Sequence, residues 1–282
     1  MVSTIAILGS GTMGQGIAQV AALSGFKVTL FDLNKVILSK ALKKIESNLE
    51  KGKNRGKITG EEVKKALGNL ELETNIELLK SDMFIEAVVE DLGVKQSLFS
   101  DLQKTNPNSI LATNTSSLPV TQIAAGVPDP TKVVGMHFFN PAYIMKLVEV
   151  IRGVQTSDST ATVVIDVAGK LGKTAVLVND SPGFIVNRVA RQFYVESLNI
   201  LEEQASDVEG IDQLLEASGF KMGPFRLMDL IGVDTNLSVT QTMFNQFHQN
   251  SKFRPSRIQQ QMVDAGNYGK KSGKGFYNYD QV

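Results

Sequence analysis

A histidine and a carboxylate in consecutive apolar runs are the residues best suited to chemistry in this sequence. The segment MHFFNPAYIMKLVEVI, residues 136–151, contains His137 and, twelve residues later, Glu149. A carboxylate bound to one imidazole nitrogen fixes the tautomer and favours the protonated ring, leaving the other nitrogen to accept a proton. The pair therefore indicates general acid–base catalysis. Taken without its context, an imidazole in an apolar run is also compatible with a core residue bonded to a carbonyl.

The N-terminal segment TIAILGSGTMGQGIAQ indicates a site for a dinucleotide. Three glycines form a G-x-G-x-x-G between a predicted strand and a predicted helix, where they permit a tight turn, approach of the backbone to a pyrophosphate, and close packing. An aspartate ends the next strand, where it would accept hydrogen bonds from a ribose and repel a 2′-phosphate, so we expect NAD rather than NADP. The neighbouring Lys35 leaves some tolerance for a phosphate. The expected cofactor-binding residues of this segment are Gly9, Gly11, Thr12, Met13, Gly14 and Asp32.

The elements that must position these residues follow an alternating pattern. Short β-branched runs alternate with amphipathic stretches from residue 4 to about 180, which predicts a parallel sheet covered by helices on both faces. His137 would lie near the carboxyl end of a late strand, where such sheets bind ligands. Beyond this region the strand-like runs nearly vanish, and Ser181 with Pro182 is typical of a helix start. We predict a Rossmann-type doubly wound domain over residues 1–182 and an all-α domain over residues 183–282. The polar stretch 40–65 reads as a charged helical pair that projects from the surface.

Composition excludes several classes of function. The 29 basic and 29 acidic residues cancel, so no global field attracts nucleic acid or an anionic membrane. The absence of cysteine removes thiolate chemistry and Cys-ligated metal, and it fits a reducing compartment. No run has the length of a membrane span and no secretory signal is recognisable, so we expect a cytoplasmic protein. We expect no metal, since His248 has no histidine partner at ligand spacing.

Seven segments in order resemble the 3-hydroxyacyl-CoA dehydrogenases, in their bacterial 3-hydroxybutyryl-CoA dehydrogenase form. They are GSGTMGQGIAQ, FIEAVVED with the lysine that follows, NTSSLPVT, GMHFFNPAYIMKLVEVI, DSPGFIVNR, MGPFRLMDLIGVD and GKKSGKGFYNY. The resemblance implies NAD-dependent oxidation of a 3-hydroxyacyl-CoA, of S configuration, and the reverse reduction. It assigns His137 as the general base, Glu149 as its orienting carboxylate, Ser116 as a contact of both substrate and nicotinamide, and Asn187 as an active-site amide that holds the acyl group.

The same resemblance implies further contacts with the two ligands. Glu90, Lys95 and Asn140 match positions that contact the cofactor, although without the family match they read as solvated charges and a turn residue. Asn48 and Arg55 stand where mitochondrial members carry a serine and a lysine that touch coenzyme A, and an arginine can still pair with a phosphate. The second domain is closer to bacterial members of phenylacetate or adipate degradation. Butyryl, longer and dicarboxylic acyl groups, such as 3-hydroxyadipyl, therefore remain open.

The resemblance also implies an assembly, and two other classes of function stay open. Family members dimerise through the helical domain, and a set of about one hundred helical residues often needs a partner to bury its apolar faces, so we expect a homodimer. One alternative is a β-hydroxyacid dehydrogenase acting on free acids, which would use a catalytic lysine. The other is an NAD-binding protein without catalysis.

Overall fold

The structure, a computed structural model, describes residues 2–279. This part of the chain separates into two compact units, with the division between Ser181 and Pro182. The first unit is a twisted sheet flanked by helices, and the second is built from helices. The fold class predicted from the sequence is therefore confirmed. Within residues 2–279, no helix is both long and apolar enough to cross a bilayer.

The sheet of the first unit has eight strands within the described residues. In chain order they are β1 (Thr4–Leu8), β2 (Lys27–Phe31), β3 (Leu70–Glu73), β4 (Met83–Glu86), β5 (Ile110–Thr113), β6 (Val133–Phe138), β7 (Leu147–Arg152) and β8 (Thr174–Asn179). Their order across the sheet is β3-β2-β1-β4-β5-β6-β7-β8. β1 pairs with β2 on one side and β4 on the other, so the strand order reverses there. Ligands in doubly wound folds bind beyond the carboxyl ends of the strands at such a reversal.

The expectation of a wholly parallel sheet is wrong at one pair of strands. β1 to β6 run parallel, but β7 is antiparallel to β6, and β8 follows the direction of β7. The physical reason is the length of the connection: residues 139–146 are too few for a crossover, which needs a dozen or more residues. The chain must therefore turn back at once. The short strand β3, in GNLELE, was not predicted, because its four residues include only two apolar side chains, Leu70 and Leu72.

Six α-helices of the described residues cover the two faces of the sheet. They are α1 (Thr12–Leu23), α2 (Lys35–Asn54), α3 (Gly60–Gly68), α4 (Leu92–Thr105), α5 (Val120–Ala125) and α6 (Asp158–Lys170). Alternate strand residues such as Ile5 and Ile7 join one core with side chains from α1, α2, α3 and α6. Phe99 of α4 and Ile123 of α5 are buried outside that core, on the other face.

The charged helical pair predicted over residues 40–65 is present as α2 and α3. It does not simply project from the surface, since Ile45 and Leu49 of α2 and Val63 of α3 are buried in the core shared with α1. The basic residues occupy the remaining faces. The mean polarity of the segment concealed this apolar stripe, which recurs at helical spacing.

The second unit contains five α-helices and two short 3-10 helices within the described residues. The α-helices are α7 (Val186–Glu202), α8 (Val208–Ala217), α9 (Pro224–Ile231), α10 (Val233–Gln246) and α11 (Arg257–Asp264). The helix expected to start at Ser181 and Pro182 begins later, at Val186, because Gly183 and Phe184 adopt positive φ angles of 70° and 51°. Two such residues cannot continue a right-handed helix, so residues 182–185 form a turn.

The C-terminal segment GKKSGKGFYNY is attached to this unit by a buried carboxylate. Asp229 of α9 accepts hydrogen bonds from the backbone amides of Phe276 and Tyr277, both at 2.9 Å, and from the Tyr279 hydroxyl at 3.0 Å. A Cβ atom at Gly275 would lie 2.0 Å from Oδ1 of Asp229. A glycine is therefore required beside this carboxylate. Gly275 thus has a packing function that the sequence did not reveal.

A carboxylate at the amino end of β4 makes the stability of the first unit sensitive to acid. Oδ2 of Asp82 accepts the backbone amides of Ser3 at 2.8 Å and Thr4 at 2.9 Å, and the Ser3 hydroxyl at 2.9 Å. The Ser3 amide is the largest cause of a pKa lowered to about 2, and the other hydrogen bonds add to it against an opposing effect of burial. The folded state therefore binds this proton more weakly than the unfolded chain does.

We predict that Asp82 contributes stability that is fully present above its ordinary pKa of 3.8 and is lost as the pH falls through about 2. Urea unfolding measured at steps between pH 5 and pH 2 should show this loss, and Asp82→Asn should flatten the profile. The matched control is Asp101→Asn, which removes a carboxylate exposed beside Lys104. An equal flattening in both variants would contradict the assignment to Asp82.

Candidate active site

The carboxyl ends of β1, β4, β5 and β6 form one edge of the sheet, and most of the predicted site residues lie there. The glycine loop follows β1, and the backbone amide of Gly9 donates to the carbonyl of Phe31, the last residue of β2. On the other side, a Cβ atom at Gly9 would lie 2.7 Å from the carbonyl oxygen of Ala87, just after β4. The loop is therefore seated at the reversal between β2 and β4.

The glycine loop has the geometry required to receive a pyrophosphate. Gly9 has a φ of 96°, which favours glycine, and a Cβ atom at Gly14 would lie 1.8 Å from the carbonyl oxygen of Gly9. At Gly11, in contrast, a Cβ atom would meet no described heavy atom within 4 Å, so the loop is open on this side. α1 starts here at Thr12, and among the described residues no side chain caps its first amides. These amides and the positive end of the helix dipole fit a phosphate group.

Asp32 follows β2 and connects its end to the glycine loop. Its Oδ2 accepts the Ser10 amide at 3.0 Å and the Ser10 hydroxyl at 2.7 Å, and its Oδ1 accepts the Asn34 amide at 3.0 Å. Burial raises the pKa of Asp32, but these hydrogen bonds outweigh burial, so the pKa lies below its ordinary value. The carboxylate is thus anionic at neutral pH, as ribose binding and rejection of a 2′-phosphate require. Together with the open glycine loop, the residues present fit an NAD molecule.

His137 and Glu149 form a buried pair at the same edge of the sheet. His137 is the penultimate residue of β6 and lies directly opposite Glu149 in the antiparallel register of β6 and β7. Nδ1 of His137 is 2.8 Å from Oε2 of Glu149, and the two residues are 6% and 1% exposed. Because Glu149 holds Nδ1, an exchange of protons with a ligand would have to use the other ring nitrogen, Nε2. The Phe139 ring packs beside the imidazole, with the ring centroids 4.5 Å apart.

Ser116 lies on the loop after β5, and Glu90 holds this loop. Oε1 of Glu90 accepts the Thr115 hydroxyl at 2.6 Å and the Ser116 and Ser117 amides at 3.0 and 3.2 Å. Nζ of Lys95 lies 3.2 Å from the other oxygen of Glu90. Lys95 is 1% exposed, so its residue-by-residue interpretation as a solvated charge at a helix start is wrong. Burial raises the pKa of Glu90, but the charge of Lys95 and the loop hydrogen bonds outweigh burial. The pKa of Glu90 therefore lies below its ordinary value.

Asn140 and Asn187 complete the predicted set. Asn140 follows β6 at the same edge and is exposed, in a cis peptide bond with Pro141. Asn187 is half-buried in the first turn of α7 and belongs to the second unit. The contacts predicted for them remain expectations from the family resemblance.

Asn48 and Arg55 line a basic cleft of about 400 Å³ on the first unit. The cleft lies between α1, the C-terminal half of α2 and the loop that connects β6 to β7. Its cationic residues, among those described, are Lys51, Arg55, Lys57, Lys146 and Lys173. Lys173 donates to the carbonyls of Ala142 at 2.5 Å and Met145 at 2.8 Å, and burial lowers its pKa. The sequence analysis identified two of the polar residues of this cleft and missed the lysines, because these come from three separate segments.

The sequence analysis also missed Glu86, the last residue of β4. It is fully buried, and its Oε1 lies 2.6 Å from Nζ of Lys95. A lone carboxylate in the apolar run MFIEAVV was the available signal, of the same kind that identified Glu149. Among residues 2–279, no group of three or more His, Asp and Glu side chains is arranged to hold a metal ion.

Comparison with known proteins identifies both parts of the chain. Residues 4–181 match the family model of the 3-hydroxyacyl-CoA dehydrogenase NAD-binding domain, and residues 183–279 match that of the C-terminal domain. The chain is 45% identical to 3-hydroxyadipyl-CoA dehydrogenase of Escherichia coli and 42% identical to a probable 3-hydroxybutyryl-CoA dehydrogenase of Bacillus subtilis, with 99% of this chain covered in both comparisons. It spans 59% of the length of the first relative and 98% of the second.

A solved structure agrees with these matches. The (S)-3-hydroxybutyryl-CoA dehydrogenase of Ralstonia eutropha superposes with a TM-score of 0.96 at 36% identity, and 99% of each chain is covered. The resemblance predicted from seven short segments is thereby confirmed over the whole chain. This protein belongs to the 3-hydroxyacyl-CoA dehydrogenase family.

Proposed function

We propose that the protein catalyses the reversible NAD-dependent oxidation of a (S)-3-hydroxyacyl-CoA to the 3-oxoacyl-CoA, with His137 as the general base. The observation that carries this proposal is the buried pair of His137 and Glu149, 2.8 Å apart, at the sheet edge that also carries the glycine loop. Family membership and the NAD-binding domain support the reaction class.

The proposed chemistry divides between the cofactor and the residues of this chain. The glycine loop and Asp32 would hold NAD, which when bound would supply the acceptor for the hydride of carbon 3 and, in its reduced form, the donor for the reverse reaction. As the hydride leaves, Nε2 of His137 takes the hydroxyl proton, and Glu149 stabilises the imidazolium that forms. We assign to Ser116 a hydrogen bond to the 3-oxygen and to Asn187 a hydrogen bond that holds the acyl group. The location of Ser116 on a loop at the same edge supports its assignment.

The basic cleft supports a coenzyme A thioester as the substrate. Coenzyme A carries a pyrophosphate and a 3′-phosphate, and the cleft presents five cationic side chains together with Asn48. Arg55 can pair with a phosphate bidentately, as the family lysine cannot. Two relatives are named 3-hydroxyadipyl-CoA dehydrogenase and probable 3-hydroxybutyryl-CoA dehydrogenase, so a dicarboxylic chain and a short straight chain are both candidates for the acyl group.

The first prediction from this proposal concerns the thioester. With acetoacetyl-CoA the protein should oxidise NADH rapidly, whereas free acetoacetate at the same concentration should give no comparable rate, because it lacks the groups that bind the basic cleft. The loss of NADH absorbance measures both rates.

A variant tests the contribution of the basic cleft. Arg55→Ala should raise KM for the thioester roughly tenfold with little change in kcat. The matched control is Lys64→Ala, because Lys64 lies in α3 of the same charged helical pair and does not line the described cleft. Equal rates of NADH oxidation with acetoacetyl-CoA and free acetoacetate would contradict the proposed thioester substrate. Tight NADH binding without turnover of any 3-oxoacyl-CoA would favour a non-catalytic relative.

The second prediction concerns the base. His137→Ala should lower kcat by about 10²–10⁴-fold, because the hydroxyl proton loses its acceptor. Glu149→Gln should cause a smaller loss in the same direction, since an amide can hold the ring without stabilising its positive charge. His248→Asn serves as the control, because His248 is exposed with a φ of 54°, which asparagine tolerates. Turnover of His137→Ala at the rate of the unmodified protein would exclude His137 as the base.

We also propose a homodimer formed through the helical domain, in a cytoplasmic protein. The support is the apolar surface of the second unit, where Val189 and Phe220 are 69% and 51% exposed and line a groove of about 640 Å³ with Phe193 and Leu227. Exposed apolar patches of this kind are typical of protein interfaces.

Sedimentation equilibrium is expected to give twice the chain mass of 30.6 kDa. Val189→Glu should shift the equilibrium toward the monomer by placing a charge in the groove. Val154→Glu, at an 86% exposed position of the first unit, should leave the mass unchanged. A single 30.6 kDa species for the unmodified protein would refute the dimer.

A further inference from the structure

The buried carboxylate of Glu86 has a defined set of partners and no role in the chemistry described so far. Its Oε1 accepts hydrogen bonds from Nζ of Lys95 at 2.6 Å and from the Val88 amide at 2.8 Å. Its Oε2 accepts a hydrogen bond from the Thr113 hydroxyl at 2.7 Å. Glu86 is 0% exposed. Thr113 is the last residue of β5, so Glu86 connects the ends of two neighbouring strands at the edge where the site lies.

Lys95 transmits this connection to Glu90. Its ammonium lies between the two carboxylates, 2.6 Å from Glu86 and 3.2 Å from Glu90. An ammonium that is 1% exposed is stable only with such counter-charges, because an unpaired charge in the interior is strongly destabilising. The position of Lys95 is therefore set mainly by Glu86, the fully buried partner. The side chain of Glu90 is 37% exposed, so water screens its charge more than it screens that of Glu86.

Glu90 in turn fixes the backbone that carries Ser116. It accepts the amides of Ser116 and Ser117 and the hydroxyl groups of Thr115 and Ser117 through a single oxygen, Oε1. A carboxylate that accepts four hydrogen bonds must itself be held in place, and Lys95 holds its second oxygen. A continuous path thus runs from Glu86 through Lys95 and Glu90 to the amide of Ser116.

We propose that Glu86 is a positioning residue, which acts through Lys95 and Glu90 to fix the Ser116 loop for hydride transfer. The inference rests on the proposed function, because Ser116 matters for catalysis only if it binds the reacting oxygen. Catalysis is sensitive to small displacements of such groups, and an error of about 1 Å can cost up to about 10²-fold in rate.

A double-mutant cycle tests the route by which Glu86 acts. Glu86→Gln keeps the shape and loses the charge, and it should lower kcat about tenfold with a much smaller change in the KM for acetoacetyl-CoA. In the Ser116→Ala background, Glu86→Gln should lower kcat by less than about threefold, because the hydroxyl that Glu86 positions is already absent. Losses that multiply independently would overturn the proposal, as would a Glu86→Gln protein with unchanged kcat.

Hydrogen–deuterium exchange gives a second readout that needs no activity. Glu86→Gln should accelerate exchange at the Ser116 and Ser117 amides, which Glu90 accepts. Asp82→Asn is the matched control, since it removes the charge of a carboxylate at the opposite end of β4, where it holds backbone amides. This control should lower stability at neutral pH without changing kcat or the exchange of the loop. Unchanged exchange at the two loop amides in Glu86→Gln would overturn the proposal even if the variant is slow.

A second variant guards against failure of the first to fold. Glu86→Gln combined with Lys95→Met removes the ammonium together with one counter-charge, and it leaves Glu90 in the chain without the lysine that holds it. It should accelerate exchange at the same two amides, and protection equal to that of the unmodified protein would refute the path through Lys95. Absence of turnover in the unmodified protein would refute the proposed function instead, while the exchange data would still decide whether Glu86 holds the loop.

Discussion

The hydrogen bond between His137 and Glu149 depends on the antiparallel pairing of β6 and β7, where the described sheet changes direction. Residues 139–146 are too few to cross back to a parallel strand, so β7 must run antiparallel to β6. Directly opposed residues of an antiparallel pair have Cβ atoms about 4.5–5.5 Å apart on the same face, which is within reach of an imidazole and a carboxylate. A parallel β7 would have directed its carboxyl end, and a different set of side chains, toward this edge. The short connection is therefore the constraint on which the pair of His137 and Glu149 depends.

The face of the sheet that carries the pair follows from the same register. Met136 and Phe138 join the core beneath α1, as do Val148 and Val150. The intervening residues, His137 and Glu149, must then face the opposite side, because side chains alternate along a strand. A slip of one residue in the pairing would exchange the two sets and bury the imidazole in the apolar core. The apolar neighbours of His137 thus hold it in place by filling the other face.

Two lone carboxylates in apolar strands distinguish this edge of the sheet. Glu149 and Glu86 are 1% and 0% exposed. Glu149 is paired with His137, and Glu86 is paired with Lys95. Burial of a carboxylate is costly unless it is paired and hydrogen-bonded, so each one must be satisfied in a single geometry. The pair of Glu149 and His137 carries an imidazole that can exchange protons. The pair of Glu86 and Lys95 connects the ends of β4 and β5 and, through Glu90, the loop that carries Ser116. In the second unit, Asp229 shows the same principle with backbone amides as its partners.

The sequence by itself determined the local chemistry of the protein. Strand and helix periodicity, the glycine loop with Asp32, and seven family segments predicted the fold class, the cofactor and the family. The expected helix start at Ser181 was wrong, because the positive φ angles of Gly183 and Phe184 are not visible in composition. Only the tertiary structure decided the direction of β7, the burial of Lys95 between Glu86 and Glu90, and the gathering of five cations around Asn48. The five cations come from segments far apart in the chain, and even near neighbours such as Glu86 and Lys95 meet only because strand pairing and packing bring them together. Their partners are chosen by strand order and packing, which local patterns do not encode.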